Sequence, residues 1–344
     1  MATPQARHSA TSRRFSRRAK ILISVATGLA VIIAGTGMAA LVVRHQIDAK
    51  INHVDIAFPV APDAPSPSTE ARDIGTKAPI NFLMLGSDSS SGGGDPTDWK
   101  IGGQRSDVMM LVQISGDRQS VSVASIPRDS WVPIEGYGDA KINAAFSYGG
   151  PELAISTVQN LTGVTIDHFA IIDFISFEKL TDELGGVTVK TSKGDQRMSG
   201  DDALAFVRER HSLPQGDFDR VRRQQAWIQA ILSEVFKKDA LKSPTKIASL
   251  INIVLDYSAV DQAINFDYMA SLAVEAKSLR PGGVKFMTVP YSGTGRSPDG
   301  KQSIVVLDKP KLDALMEAWR DDDVAEYVAT HPDAVPALGD RPVS

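Results

Sequence analysis

Arginines and carboxylates stand beside the apolar runs of this sequence, where strands would begin or end. Asp88 directly follows INFLMLGS, whereas Arg105 and Asp107 come just before VMMLVQI. Arg128 follows SVSVASIP. Guanidinium groups form short, often bidentate bonds with phosphate, and paired carboxylates bind a hard divalent cation that bridges phosphate oxygens. These residue types predict a metal-assisted phosphate or polyanion site, although each residue singly would also suit a turn or a solvent-facing strand end.

A helical pattern further along the chain places more cationic and amide side chains on one face. In the stretch GDFDRVRRQQAWIQAILSEVF, a mostly apolar stripe has helical spacing, and Arg220, Arg223 and Gln224 lie opposite it. Trp227 and Ile231 continue the line of Arg220, which a simple solvent-facing side would not do. We therefore expect a helix covered on both sides, with its arginines facing a semi-buried cleft. The alternative is that Trp227 packs locally or against a membrane.

Two further arginines, Arg208 and Arg210, end the apolar helical stretch ALAFVRERH. Cations there also complement the negative C-terminal end of a helix, which is the alternative explanation. Because several arginines between residues 105 and 223 occupy element ends or one helix face, we expect them to share one phosphate-bearing ligand.

Composition and missing motifs exclude several other classes of protein. The 344 residues include no cysteine, which excludes disulfide scaffolds, thiol enzymes and Cys-ligated zinc sites. The chain has no GxxxxGKS or GxxxxGKT phosphate loop, no HExxH zinc motif and no GxSxG nucleophile elbow. Residues 1–20 carry six Lys/Arg, so the rest is more acidic than the net charge of −4, and no nucleic-acid partner is expected.

The N-terminal part of the chain predicts a membrane anchor. Residues 21–43 are 23 consecutive uncharged positions, roughly 34 Å of helix at about 1.5 Å per residue. The basic residues before them place the N-terminus in the cytoplasm and the rest of the chain outside. The alternative is a cleaved signal peptide, whose apolar part is usually shorter. Residues 44–79, with five prolines, predict a stalk.

Strand-like and helix-like patterns are mixed over residues 80–320 and predict one α/β domain with helices packed on a central sheet. The acidic, then proline-rich residues 321–344 form a tail that we expect to fray. The predicted strands are 80–86, 108–114, 120–126, 168–173, 187–190 and 284–289. The predicted helices are 151–161, 174–184, 199–210, 217–238, 243–255, 266–279 and 309–319.

Eight sequence blocks occur in order between residue 80 and about residue 232. They are NFLMLGSD, RSDVMMLVQI, SVASIPRDSWV, KINAAFSYGG, IDHFAIIDF, ELGGVTV, SGDDALAFVRERH and GDFDRVRRQQ. Together they resemble the LytR-CpsA-Psr family of membrane-anchored cell-wall enzymes. The resemblance implies a mixed sheet sandwiched by helices, with one N-terminal transmembrane helix. Ser89 and Ser90 depart from many members, which have an arginine soon after the first aspartate.

The resemblance implies a phosphotransferase that depends on Mg²⁺ or Mn²⁺ and is anchored in the cell membrane with its catalytic domain outside. Its substrates would be an undecaprenyl-pyrophosphate-linked glycopolymer and peptidoglycan, joined by a phosphodiester at the 6-hydroxyl of N-acetylmuramic acid. The polyprenyl tail would enter an apolar channel between the sheet and the helices. Teichoic acid, capsule, a secondary wall polysaccharide and arabinogalactan all stay open as the polymer.

The same resemblance assigns roles to the residues already singled out. Asp88 and Asp107 look like the metal ligands, and a free carboxylate oxygen of either is the candidate general base. Asp107, Arg128 and Arg220 look like the catalytic residues. The pyrophosphate-binding residues would be Arg105, Arg128, Arg208, Arg210, Arg220, Arg223, Gln224 and Lys141, with Asp217 beside them.

Two other functions fit the same residues. A polyprenyl-pyrophosphate hydrolase would use the same donor site with water as the acceptor, and only its product would distinguish it. A non-catalytic, membrane-tethered module would bind wall polymer or carrier lipid without turnover.

Overall fold

The computed structural model describes residues 44–59, 78–87, 106, 108–209, 213–237, 243–338 and 342–344. The chain divides into two compact units, Met1–Ala49 and Lys50–Ser344. In the first unit, residues 44–48 are helical, and Arg44 Nε lies 3.7 Å from Asp48 Oδ2. The helices of the described ranges are all too short or too polar to cross a membrane. The predicted span, residues 21–43, lies outside those ranges.

Thirteen strands and eight α-helices are defined in the described part of the second unit. The strands are β1 (Asn52–Val54), β2 (Ile80–Ser87), β3 (Val108–Ile114), β4 (Val121–Ile126), β5 (Trp131–Ile134), β6 (Gly138–Lys141), β7 (His168–Asp173), β8 (Val187–Thr191), β9 (Gly194–Met198), β10 (Ser258–Asp261), β11 (Val284–Thr288), β12 (Tyr291–Arg296) and β13 (Ser303–Leu307). The helices are α1 (Asn143–Thr162), α2 (Phe174–Glu183), α3 (Gly200–Arg208), α4 (Asp217–Lys237), α5 (Pro244–Asp256), α6 (Phe266–Glu275), α7 (Lys309–Arg320) and α8 (Val324–Thr330).

A mixed seven-stranded sheet forms the centre of this unit, in the order β1-β10-β7-β2-β3-β4-β11. Strands β2, β4, β7 and β11 run in one direction, and β3 runs antiparallel to β2 and β4. The carboxyl ends of these four strands therefore reach the same edge of the sheet, at which β3 begins. Three hairpins, β5–β6, β8–β9 and β12–β13, lie outside the central sheet.

Apolar side chains alternate along the central strands, so each face of the sheet has its own core. Leu83 and Leu85 belong to the core that contains Trp319 of α7 and residues of α1. Phe82 and Met84 pack against the other core, which contains Trp227 of α4 and residues of α2 and α3. Helices thus cover both faces, which confirms the predicted mixed sheet sandwiched by helices.

Local sequence signals explain where several helices begin. The side chains of Asp173 and Asn265 cap α2 and α6, and Ser199 forms a capping box with Asp202 at the start of α3. Helix α1 is kinked at Gly150, whose φ is 66°, and Pro151 starts its second part. This is why the sequence predicted a helix only from residue 151 onward.

Most predicted elements are present with shifts of a few residues at their ends, but both ends of the predicted domain differ from expectation. Residues 52–54 of the expected stalk form β1, which pairs with β10. At the other end, the tail was expected to fray, yet Val335, Leu338 and Val343 are buried, and Ala337 bridges to Met287 of β11. These apolar side chains are spaced too irregularly for a periodic pattern to reveal their burial.

Candidate active site

The ends of three central strands lie side by side at the sheet edge that the predicted site residues flank. Gly86 of β2 pairs with Val108 of β3, and Met109 of β3 pairs with Ile126 of β4. The Val108 side chain leaves no room for one at Gly86, because a Cβ there would lie 2.8 Å from Val108 Cβ. The end of β2, the start of β3 and the end of β4 are therefore neighbours.

Three predicted site residues flank these strand ends but lie outside the described ranges: Asp88, Arg105 and Asp107. Arg210, which comes after α3, also lies outside them. Among the described residues, no group of three or more His, Asp or Glu side chains is arranged to hold a metal ion. The predicted metal ligands Asp88 and Asp107 therefore stay a sequence-based expectation. Ser106, between two of these positions, is buried and donates from Oγ to the Val108 carbonyl at 2.6 Å.

Two arginines share one carboxylate close to this edge. Asp217 begins α4, and its Oδ1 lies 2.6 Å from Arg220 Nη2 and 3.7 Å from Arg128 Nε. Arg220 is 2% exposed, whereas Arg128 and Asp217 are partly exposed. Guanidinium groups held in this way have the charge and the donors that suit a phosphate. The structure thus brings together Arg128 and Arg220 around Asp217.

Lys141 ends β6 and faces the residue next to Arg128. Its Nζ lies 3.1 Å from Asp129 Oδ1. Arg128, Asp129 and Lys141 line a pocket of about 240 Å³, together with Asn143 and other polar side chains. Lys141 therefore joins the Arg128 side of the site, with its charge partly offset by Asp129.

Gln224 lies one helical turn after Arg220 and connects the cationic cluster to a cavity. Gln224 is 5% exposed, and its Oε1 has no hydrogen-bond partner among the described residues. Trp227, another turn along, is buried, and its Nε1 donates to Thr181 Oγ1 at 2.9 Å. The prediction that this helix is covered on both sides is confirmed, and Trp227 packs inside the domain.

An apolar cavity of about 310 Å³ lies between the sheet and helices α2 and α4. One end is formed by Gly86 and Val108, at the edge of the sheet that the site residues flank. The other end is formed by Val121 and Val284, at the starts of β4 and β11. Its remaining lining residues include Met84, Met110, Val112, Val123, Ile172, Phe174, Phe177, Gln224, Trp227, Ile228, Leu232, Leu279 and Phe286. Gln224 is the polar side chain of this lining.

Arg223 points away from the Arg128–Arg220 cluster. Its guanidinium carbon lies 4.0 Å from the centre of the Phe206 ring, and Nη1 donates to the Phe206 carbonyl at 2.8 Å. Nε donates to the backbone oxygen of Ser344 at 2.6 Å. Burial lowers the pKa of the Arg223 guanidinium, although an arginine stays charged. Arg208 is exposed at the end of α3.

Two supporting contacts were not predicted from the sequence. Gln225 Nε2 donates to Ser125 Oγ at 2.8 Å and to the Met287 carbonyl at 2.7 Å, which ties α4 to the sheet. Phe218 stacks on Tyr291, with ring centroids 4.2 Å apart. An amide within the apolar stripe of α4 was the available signal for Gln225, whereas Tyr291 comes from a distant hairpin and gave none.

The similarity of this chain to known proteins extends over the part that contains the candidate site. The sequence model of the LytR_cpsA_psr family matches residues 43–321. The "Probable cell wall biosynthesis protein LcpB" of Corynebacterium glutamicum is 30% identical over 327 residues, which cover 88% of this chain and 74% of LcpB. The "Cell wall biosynthesis protein LcpA" of the same organism is 28% identical over 286 residues, covering 69% of this chain. The aligned part is 55% of LcpA, so the chain spans about half of that relative.

Solved structures share the fold. Protein gbs0355 from Streptococcus agalactiae superposes with a TM-score of 0.62 and 24% identity, covering 74% of this chain and 91% of the other. TagT bound to LI-WTA superposes with a TM-score of 0.57 and 24% identity, covering 78% of this chain and 99% of TagT. At such identities the likeness establishes the α/β architecture.

Proposed function

Because the chain belongs to the LytR_cpsA_psr family, we propose that it is a membrane-anchored phosphotransferase of cell-wall assembly. It would move a glycopolymer from an undecaprenyl-pyrophosphate carrier to the 6-hydroxyl of N-acetylmuramic acid in peptidoglycan. The relatives named as cell wall biosynthesis proteins support the process. The TagT structures, which hold wall teichoic acid lipid intermediates, support a lipid-linked wall polymer as the donor.

The observation that carries the proposal is the apolar cavity next to the arginine cluster. A polyprenyl pyrophosphate has a long apolar tail and a doubly phosphorylated head, so its site needs both environments in contact. The cavity of about 310 Å³ would take part of the tail. Gln224 lines it, and Arg220 lies one turn earlier on the same helix, paired with Asp217.

The residues of the cluster suit transfer of a phosphoryl group. The acceptor hydroxyl oxygen would attack the phosphorus that bears the glycan, and the bond to the bridging anhydride oxygen would break. Undecaprenyl phosphate would leave, and the hydroxyl proton would pass to a carboxylate. Arg128 and Arg220 would stabilise the charge that develops on the phosphate oxygens, which is the main demand of this reaction. Lys141 would contribute from the Asp129 side.

The proposal includes Mg²⁺ or Mn²⁺, held by Asp88 and Asp107, because the sequence resemblance implies it. Such an ion would neutralise charge on the pyrophosphate. Membrane anchoring by residues 21–43 likewise belongs to the proposal. An anchored enzyme would meet a carrier lipid confined to the bilayer at high effective concentration.

The test incubates the full chain in detergent with a synthetic polyprenyl-pyrophosphate glycan and a peptidoglycan oligosaccharide, with and without Mg²⁺. Mass spectrometry reads the products. We expect a metal-dependent phosphodiester adduct that is lost in Asp107→Asn and retained in Asp195→Asn, an exposed aspartate of β9.

Other products would contradict the proposal in different ways. Free sugar phosphate and lipid phosphate without adduct would indicate a hydrolase. A donor that binds but stays intact would indicate a non-catalytic binding module. An adduct formed equally well in EDTA would contradict the metal requirement alone.

A further inference from the structure

Two stacked tyrosines project into solvent beside the candidate active site. Tyr137 is 55% exposed and Tyr148 is 44% exposed. Their ring centroids are 4.6 Å apart with an interplanar angle of 18°, and Tyr137 OH lies 3.4 Å from the Tyr148 carbonyl. Large aromatic surfaces that stay exposed in a folded domain commonly mark a binding site.

The backbone around both tyrosines fixes their positions. Tyr137 lies in the β5–β6 turn between Gly136 and Gly138, whose φ values are 77° and 74°. A side chain at either glycine would be strained in this left-handed conformation. Tyr148 ends the first part of α1, immediately before the kink at Gly149 and Gly150. The pair is therefore presented by two ordered elements, β5–β6 and α1.

The stacked pair, named here the Tyr137–Tyr148 platform, borders the polar pocket that contains Arg128. Tyr148 lines this pocket of about 240 Å³, and Ser147 and Gln302 are among its walls. The pocket also includes Lys141, whose Nζ lies 3.1 Å from Asp129 Oδ1. The pocket thus combines an aromatic side chain with several hydrogen-bond donors and acceptors, next to Arg128 of the Arg128–Arg220 cluster.

A sugar ring has the matching chemistry. The axial hydrogens of a pyranose form an apolar face that packs on an aromatic ring, while its hydroxyl groups point outward to polar partners. We propose that the Tyr137–Tyr148 platform binds a pyranose ring of the glycan next to the transferred phosphate. This inference rests on the proposed function for the identity of that glycan, because either donor or acceptor would bring a sugar to this position.

The test measures equilibrium binding to the full chain in detergent by calorimetry, with two probes. Chitotetraose represents the acceptor sugars, and farnesyl-pyrophosphate-linked N-acetylglucosamine represents the donor. The variants are Tyr148→Ala, Tyr137→Ala and Tyr148→Phe. The matched control is Tyr327→Ala, since Tyr327 stacks on His331 at 4.6 Å and does not line this pocket.

We expect Tyr148→Ala to weaken one probe about five- to tenfold, the effect of losing one aromatic contact. Tyr137→Ala should act in the same direction, whereas Tyr148→Phe and Tyr327→Ala should bind within about twofold of the unaltered chain. The probe that weakens identifies the sugar as the donor's or the acceptor's. Melting temperatures of the Tyr137 and Tyr148 variants should stay unchanged because both side chains are exposed.

Unchanged affinity for both probes in Tyr148→Ala, or no binding of either probe by the unaltered chain, would overturn the inference. Because these are binding measurements, they do not depend on turnover. A chain that binds sugar on the platform but forms no phosphodiester would contradict the proposed function and leave the platform standing.

Discussion

Gln225 of α4 is hydrogen-bonded to Ser125 of β4, Nε2 to Oγ at 2.8 Å, in the interior between helix and sheet. The same Nε2 donates to the Met287 carbonyl of β11 at 2.7 Å. Helix α4 carries Arg220 and Gln224, and β4 leads to Arg128. This contact therefore ties the helix that carries Arg220 to the strand that leads to Arg128.

Gln225→Leu should destabilise the fold by about 1–3 kcal/mol, because the Ser125 hydroxyl and the Met287 carbonyl lose a buried donor. Denaturant unfolding of the full chain measures the change. Gln229→Leu on the less buried side of α4 is the matched control, with an expected change within about 0.5 kcal/mol. Equal destabilisation by both variants would count against a specific role for this contact.

Arg220→Ala should lower kcat/KM for transfer, because the proposed function places the Arg220 guanidinium against the phosphate. The expected loss of transition-state stabilisation is about 2–4 kcal/mol. Steady-state kinetics with the carrier-linked donor gives the number. Arg222→Ala is the control on the same helix, because Arg222 makes a 3.4 Å contact with the Pro342 carbonyl, away from Asp217. Full activity of Arg220→Ala would show that Arg220 does not stabilise charge on the phosphate.

Arg223→Lys should change stability more than activity. A lysine keeps the charge but cannot reproduce the guanidinium contacts with Phe206 and Ser344. We expect a loss of about 1–2 kcal/mol in unfolding free energy with kcat within about threefold of the unaltered chain. A large fall in kcat at unchanged stability would instead assign Arg223 to the pyrophosphate, as the sequence resemblance implies.

Val123→Phe should make the enzyme discriminate against long carriers. Val123 lines the middle of the apolar cavity, and a larger side chain would occupy space proposed for the polyprenyl tail. We expect KM to rise at least about tenfold for an undecaprenyl donor and by less than about threefold for a donor with a short tail. The short-tail donor is the internal control, and equal KM increases would argue against tail binding in this cavity.

Asp322→Asn should stabilise the fold at neutral pH. Burial raises the pKa of Asp322, so the native state favours the protonated carboxyl. Stability is therefore lost as the pH rises from the ordinary aspartate pKa through the raised one. Asparagine keeps an oxygen for the Gly116 N–H, 2.8 Å away, and tolerates the φ of 66°.

Thermal unfolding checks the Asp322 prediction at two pH values. The melting temperature of Asp322→Asn should exceed that of the unaltered chain at pH 7, and the difference should shrink in acid below the ordinary aspartate pKa. Asp333→Asn, at an exposed aspartate outside the helices, is the control. A gain that does not depend on pH would show that ionisation of Asp322 is not its cause.

The sequence determined the elements whose patterns repeat along the chain. Alternation predicted β3 and β4, and a spacing of three and four residues predicted α4 with its buried Trp227. These patterns are local, because each side-chain direction follows from the backbone geometry of its own element. Of the hairpin strands, β8 was predicted at residues 187–190, whereas the other hairpin strands and β10 were not, since their pairing and burial depend on distant segments.

The tertiary structure decided which cations share a site. Arg220 and Arg223 stand three residues apart, and the sequence placed them on one helix face. Three residues rotate the helix by about 300°, so the two side chains point about 60° apart around its axis. That offset is enough for Arg220 to meet Asp217 and Arg128 while Arg223 turns to Phe206 and Ser344. The packing of α4 on the sheet likewise decided that an apolar cavity lies next to a charged cluster. The residues of the cavity and those of the cluster each come from segments that are far apart in the chain.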